Sequence, residues 1–276
     1  MLSNFFTTYL AHITLIALLL IGVKYRYRII FNYQWLATTT LCYFGYLFID
    51  YNKFKLVEFN HFKPFLSTLI PNWPTLSWAW DVTFTAILYC LILLMLFHKL
   101  DLHQVDGKKA LSPLSTPLHK RIGFTLKQHK NSLKPCIIAF VILLIARYYL
   151  SLIVGGDDGV RDPEELLFLL MAEGTDKALF FFGLLPFMLS KTLINDLIVY
   201  RHKLCKINLV FITSVFIFAT FNGLKTVSVE HSLIFISSFI LMGIYAVIFL
   251  WMRQITGSLV LPVVCYGVLM FFSQLL

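Results

Sequence analysis

Gly243-Ile-Tyr-Ala-Val, then Trp251-Met-Arg-Gln-Ile-Thr-Gly-Ser-Leu259, then Pro262-Val-Val-Cys-Tyr-Gly267: this stretch decides how the rest of the chain is read. Two apolar runs are broken by Arg253 and by the turn Thr256-Gly257-Ser258-Leu259, and Pro262 sits four residues beyond Ser258. Each run approaches the roughly 20 apolar residues needed to cross a bilayer core. A polar Thr-Gly-Ser link between two such runs reverses the chain at a membrane surface.

The composition agrees with that reading. The chain has 276 residues, of which 59% are hydrophobic, 16% aromatic and only 13% charged, with a mean hydropathy of +0.79. Ordinary soluble domains carry about 25% charged residues. The expected fold is therefore all-α: a polytopic transmembrane helical bundle of about eight spans. The net charge of +9 does not point to nucleic acid, because the basic residues cluster between apolar runs, as membrane topology requires. Cys42, Cys90, Cys136, Cys205 and Cys265 lie far apart, with no CxxC pair and no histidine at ligand spacing, so neither a disulfide framework nor a metal site is expected. No cofactor is expected either. The first apolar run ends in a basic cluster without a small-residue cleavage site, and so reads as a span and not as a removable signal.

The expected spans are 5–23, 29–49, 78–97, 135–155, 166–189, 207–224, 232–252 and 258–276. With the N-terminus outside, inner loops hold 16 of the 23 Lys and Arg residues and outer segments hold five. Reversing the topology inverts that ratio, which puts both termini outside the cytoplasm of a plasma (inner) membrane. Residues 1–98 form an N-terminal membrane subdomain of three spans and an outer loop, 99–134 a basic cytoplasmic loop, and 135–276 the membrane core. The fifth span is interrupted by Glu173, Asp176 and Lys177. Each charged residue at a helix centre costs about 2.5–3.5 kcal/mol on insertion scales, so something must offset them.

The Arg253 turn of Thr256-Gly257-Ser258-Leu259, followed by Pro262 and, four residues on, Tyr266, resembles the CAAX-protease and bacteriocin-processing (CPBP or Abi) family of intramembrane peptidases. The resemblance covers roughly residues 135–276. It implies an active site of three pieces: Glu-Glu-x-x-x-Arg, often continuing as Glu-Glu-x-x-Phe-Arg-Gly-Leu-Leu; Phe-x-x-x-His; and a last-helix His that often has Asn four residues later. A glutamate in a dry bundle then activates water as a general base, and the histidines and Asn hold water or the developing oxyanion.

Three registers set the first piece on this chain. Phe181-Phe182-Gly183-Leu184-Leu185 on Phe-Arg-Gly-Leu-Leu puts Lys177 and Ala178 where the glutamates belong. Ala172-Glu173 with Lys177 keeps one glutamate and a basic residue. Glu164-Glu165-Leu-Leu-Phe168 matches the pair literally, with Leu169 and Leu170 in place of Arg-Gly. The second piece is Phe218-Ala-Thr-Phe-Asn222, with Asn for His; the third ends on Tyr266 for His and Met270 for Asn. The candidate site residues are thus Glu173, Asn222 and Tyr266, with Glu164 and Glu165 in the alternative register. Glu173 and Lys177 also form an i, i+4 acid–base pair on one helix face, and Asn222 and Tyr266 also read as interhelical hydrogen-bonding residues.

Two functions follow as expectations. The first is a non-catalytic relative of these peptidases that binds another membrane protein or a membrane-anchored peptide. The second is a divergent glutamate-type intramembrane endopeptidase. The expected surroundings are the lipid bilayer, with no nucleic-acid partner.

Overall fold

The computed structural model describes residues 2–52, 77–106, 122–123, 132–154, 167–168, 170–171, 174–193, 198–202, 205–226 and 232–275. Among these, 89% are helical, in eight helices. In chain order they are α1 (Leu2–Tyr27), α2 (Tyr33–Asn52), α3 (Ser77–Asp106), α4 (Leu133–Val154), α5 (174–192), α6 (Leu209–Thr226), α7 (Ser232–Thr256) and α8 (Val260–Leu275). One helix falls on each expected apolar run. The departure from an all-helical chain is a hairpin between α5 and α6, in which β1 (Ile198–His202) pairs antiparallel with β2 (Cys205–Asn208).

Helix α5 is not uniform. It opens with an α-helical turn, Gly174–Lys177, continues as a π-helix over Ala178–Leu184 and returns to α geometry over Leu185–Thr192. Phe180, Phe181, Phe182, Leu184 and Leu185 are each fully buried, so covered faces surround this helix on all sides. π turns appear mostly as bulges inserted in α-helices, frequently at functional sites.

The chain forms two compact units, Met1–Thr39 with Leu185–Ile255, and Thr40–Leu184 with Thr256–Leu276. Each unit is built from two separate stretches of the sequence. In the first, α1 packs on α6, and His12 of α1 is buried with its ring 6.2 Å from that of Phe221. The link between α1 and α2 docks on the end of α5: Asn32 N donates to Thr192 O at 2.9 Å, and Phe31 bridges Leu193. The Thr39 and Thr192 hydroxyls meet at 3.1 Å, and Trp35 sets its edge against Phe187. β2 runs directly into α6, where Asn208 Oδ1 caps the helix by accepting from Phe211 N at 2.9 Å. Gln254, near the end of α7, holds β2 through both amide atoms: Lys206 N donates to its Oε1 at 3.2 Å and its Nε2 donates to Lys206 O at 2.9 Å. The ends of α1, α5 and α7 and the start of α6 are therefore tied to short connections that carry Arg28, Arg201 and Lys206.

In the second unit, α8 packs against α4 and against the opening turns of α5, and α3 packs against the same turns. The approach of α5 to α8 is set by glycine. A Cβ at Gly174 would stand 2.8 Å from Gly267 N, and one at Gly267 would run into the Leu170 carbonyl oxygen. Small residues at such a crossing let two backbones come close, the packing mode favoured where lipid removes the hydrophobic drive between helices.

The turn from α7 into α8 is built as its sequence suggests. Gly257 has φ 69°, the left-handed conformation for which glycine carries no steric cost. Thr256 Oγ1 donates to Ser258 O at 3.0 Å and accepts from Ser258 N at 3.2 Å, while Ser258 Oγ accepts from Val260 N at 3.1 Å. Leu259 N donates to Gly123 O at 2.8 Å. Beside Gly123, Ile122 is fully buried, and its side chain would lie 3.4 Å from a Cβ at Gly183. The basic segment 99–134, expected to be solvated, is thus anchored at Ile122 and Gly123.

Candidate functional site

The most polar buried place in the second unit lies where α2, α3 and the opening of α5 meet. Asp176 and Lys177 are 1% and 4% exposed. Successive helical residues point in different directions, so burying both requires cover on more than one side of α5. Tyr46 of α2, fully buried, donates its hydroxyl to Asp176 Oδ2 at 3.1 Å. Its ring is fixed by stacking on Phe180, with centroids 4.2 Å apart and planes 9° from parallel, and by the edge of Phe181 at 5.4 Å. Offset and edge-on ring pairs of this kind contribute about 0.5–1.5 kcal/mol beyond burial.

One helical turn beyond Tyr46, on the same face of α2, is Asp50, which is 2% exposed. Asp176, Asp50 and the buried Cys90 of α3 all lie within electrostatic reach of the Tyr46 hydroxyl. α3 is held against α2 by Tyr89, whose hydroxyl donates to Cys42 O at 3.0 Å. Gly45 makes this possible, since a Cβ there would occupy the position of the Tyr89 hydroxyl. Two acids, a phenol and a thiol are thereby gathered in an apolar bundle, with Lys177 buried on the same opening turn of α5. Removing such charges from water costs several kcal/mol each, offset only by pairing and hydrogen bonds, so the cluster is an expensive feature of this fold. Chemically it can hold a proton between phenol and carboxylate, or receive a cationic or hydrogen-bond-donating group. Among the described residues no three His, Cys, Asp or Glu side chains are placed to hold a metal ion.

No protein-family model, curated protein or solved structure matches the chain.

The candidates drawn from the sequence are divided between the two units and residues outside those described. Glu173, Glu164 and Glu165 lie outside the described residues. Asn222 belongs to the first unit, where it is buried and its Nδ2 donates to Phe218 O of its own helix at 3.0 Å. Tyr266 belongs to the second unit, fully buried, with its ring edge-on to Phe182 at 6.3 Å and its Cδ1 3.1 Å from where a Cβ of Gly174 would stand. Cys265 beside it is buried, as are Cys42, Cys90 and Cys136. Sequence reasoning missed Tyr46, Asp50 and His12. A signal existed for two of them: His12 is a polar residue inside an apolar run, and Asp50 closes one. Asp50 reads as the first residue of a loop, whereas α2 continues through it to Asn52.

Proposed function

We propose that this chain is a multi-pass plasma (inner) membrane protein of eight spans, with both termini outside the cytoplasm. Its core resembles the CPBP intramembrane peptidases but serves to hold another membrane protein or a membrane-anchored peptide instead of cutting it. Support for the membrane begins with α7, whose Ile236–Thr256 stretch is long and apolar enough to cross a bilayer, with only 28% of its most apolar window buried. A soluble core helix of that length would be largely covered. Helix α4 likewise leaves Ile138, Val141, Ile142, Ile145 and Tyr149 exposed at helical spacing, a stripe that lipid would cover and water would not favour. The orientation is supported by the connections of the first unit, which gather the basic ends of α1, α5 and α7 with the basic hairpin.

The observation that carries the non-catalytic reading concerns the two positions where the family has histidine. Asn222 donates an amide N–H to a carbonyl one turn earlier in its own helix, and the Tyr266 ring lies edge-on to Phe182 and against the Gly174 position. Both side chains are buried among the packed helices.

A second reading, a divergent acid-type endopeptidase, is favoured by the Tyr46–Asp176 pair. A π-helical insertion takes up about one residue relative to an α-helix. With that residue absorbed, the register placing Phe181-Phe182-Gly183 on Phe-Arg-Gly moves Asp176 and Lys177 toward the positions of the glutamate pair. Glu173 or Asp176 would then supply the base.

The two readings part on one experiment. Parent protein, Glu173→Ala and Asp176→Asn are each purified in mild detergent from native membranes. The non-catalytic reading expects the same intact membrane partner with all three. A partner that is shortened with the parent and intact with either variant decides for the peptidase.

A further inference from the structure

The hairpin between α5 and α6 enters the proposed function only through its basic charge; its apolar side chains have no role there. Ile198, Val199 and Tyr200 are 43%, 49% and 53% exposed. Successive strand residues point to opposite faces, so this short strand shows apolar side chains on both sides, with an irregularity in the pairing between Ile198 and Tyr200. A two-stranded hairpin is marginal by itself in water. This one is fastened by the Gln254 amide, which pairs with both backbone groups of Lys206 as a third strand would. Gln254 is two residues from the end of α7, and β2 passes straight into α6. The hairpin therefore sits at the level where two apolar helices end.

Its charge is also one-sided. From Ile198 to Asn208 there is no acidic residue, and Arg201 stands directly opposite Lys206 in the strand register, with Lys206 exposed. A surface that is apolar, aromatic and basic at the end of a membrane-crossing helix matches one occupant: the headgroup layer of an anionic leaflet.

We propose that this hairpin is an interfacial anchor for anionic phospholipid. Ile198, Val199 and Tyr200 enter the boundary between headgroups and acyl chains, and the exposed Lys206, in a segment whose sequence also carries Arg201, supplies the charge that attracts lipid phosphate. The proposal rests on the membrane reading above and is independent of whether the core cuts peptide bonds. It also places Tyr200 as the aromatic belt residue of this connection.

The test uses the full-length protein in nanodiscs of phosphatidylcholine alone or of phosphatidylcholine and phosphatidylglycerol in equal parts, each with and without brominated acyl chains. Tyr200→Trp adds an indole, and its emission is taken as the difference from the parent. The expected result is strong quenching in the mixed bilayer and weak quenching in phosphatidylcholine. With Arg201→Gln and Lys206→Gln added, the preference for the mixed bilayer should fall by roughly 25-fold, at about fivefold per basic residue near an anionic surface. Equal quenching in both lipids would overturn the anionic preference. An indole unquenched in both, with the protein stably in the disc, would overturn the anchor and leave the hairpin to a protein partner. Failure of the parent to enter nanodiscs at all would overturn the membrane reading and the anchor with it.

Discussion

Replacing Gly267 by alanine tests how the second unit is assembled. The added methyl would collide with the Leu170 carbonyl oxygen, and on the opposing helix a methyl at Gly174 would stand 2.8 Å from Gly267 N and 2.9 Å from Gly267 Cα. The obstructing atoms are backbone, so relief requires α8 to move away from Leu170, which precedes α5, and from the start of α5 at Gly174, which also disturbs Tyr266 against Phe182. Overpacking of this kind costs about 1–3 kcal/mol, against about 0.5–1 kcal/mol gained by exchanging glycine for alanine inside a helix. The expected net loss for Gly267→Ala is about 1–2 kcal/mol, with Gly174→Ala similar and the double variant less than additive because the two share one contact. Gly22 and Gly243 are the controls. A Cβ at Gly22 meets nothing within 4 Å, and at Gly243 it makes ordinary contact with Ala219 at 3.7 Å, so alanine at either site should be neutral or mildly stabilising. Equilibrium unfolding in mixed micelles, read by circular dichroism, measures all five variants. A Gly267→Ala protein as stable as the parent, or a Gly22→Ala protein equally damaged, would refute the close crossing.

Three further outcomes are expected. Tyr46→Phe keeps the stack on Phe180 but removes the donor to buried Asp176, which should cost about 1–3 kcal/mol; in a double-mutant cycle with Asp176→Asn, a coupling near zero would contradict the 3.1 Å bond. Gly257→Ala, at φ 69°, should lose about 1–2 kcal/mol of stability, with Gly257→Asn less affected because asparagine tolerates the left-handed region. Gln254→Ala should speed amide exchange at Lys206 and along β2, reflecting two hydrogen bonds of about 0.5–1.5 kcal/mol each, with little change in α6; unchanged exchange would mean that the clamp does not form in solution.

The eight helices were legible because length and hydropathy alone define them, and an apolar run near 20 residues has few alternatives to a helix. The turn at Gly257 was legible too, since Thr-Gly-Ser between apolar runs combines a left-handed residue with two capping hydroxyls. The hairpin was not read from the sequence, although its signals were present: Ile198, Val199, Tyr200 and Ile207 are strand formers, but in so short a basic segment they also fit a loop. Nothing local announces the π-helix in α5, because the sequence Ala-Leu-Phe-Phe-Phe-Gly-Leu is as apolar as any α-helical run. The Tyr46–Asp176 pair joins residues 130 positions apart, and separation of that kind leaves no periodic trace. What the sequence did reveal was the oddity of Asp176 and Lys177 within an apolar run, and the fold answers it with Tyr46 and a covered α5. The same interruption also drew attention to Glu173 as the acid of the site. Asp176, three residues along in the sequence, is the acid that Tyr46 meets in the structure.

The most direct test of the central claim maps new peptide ends in native membranes from cells carrying the parent protein, Glu173→Ala or Asp176→Asn at equal expression, so that no substrate need be chosen beforehand. A non-catalytic binding scaffold gives the same set of ends in all three. Membrane-protein fragments present with the parent and absent with either variant would contradict it.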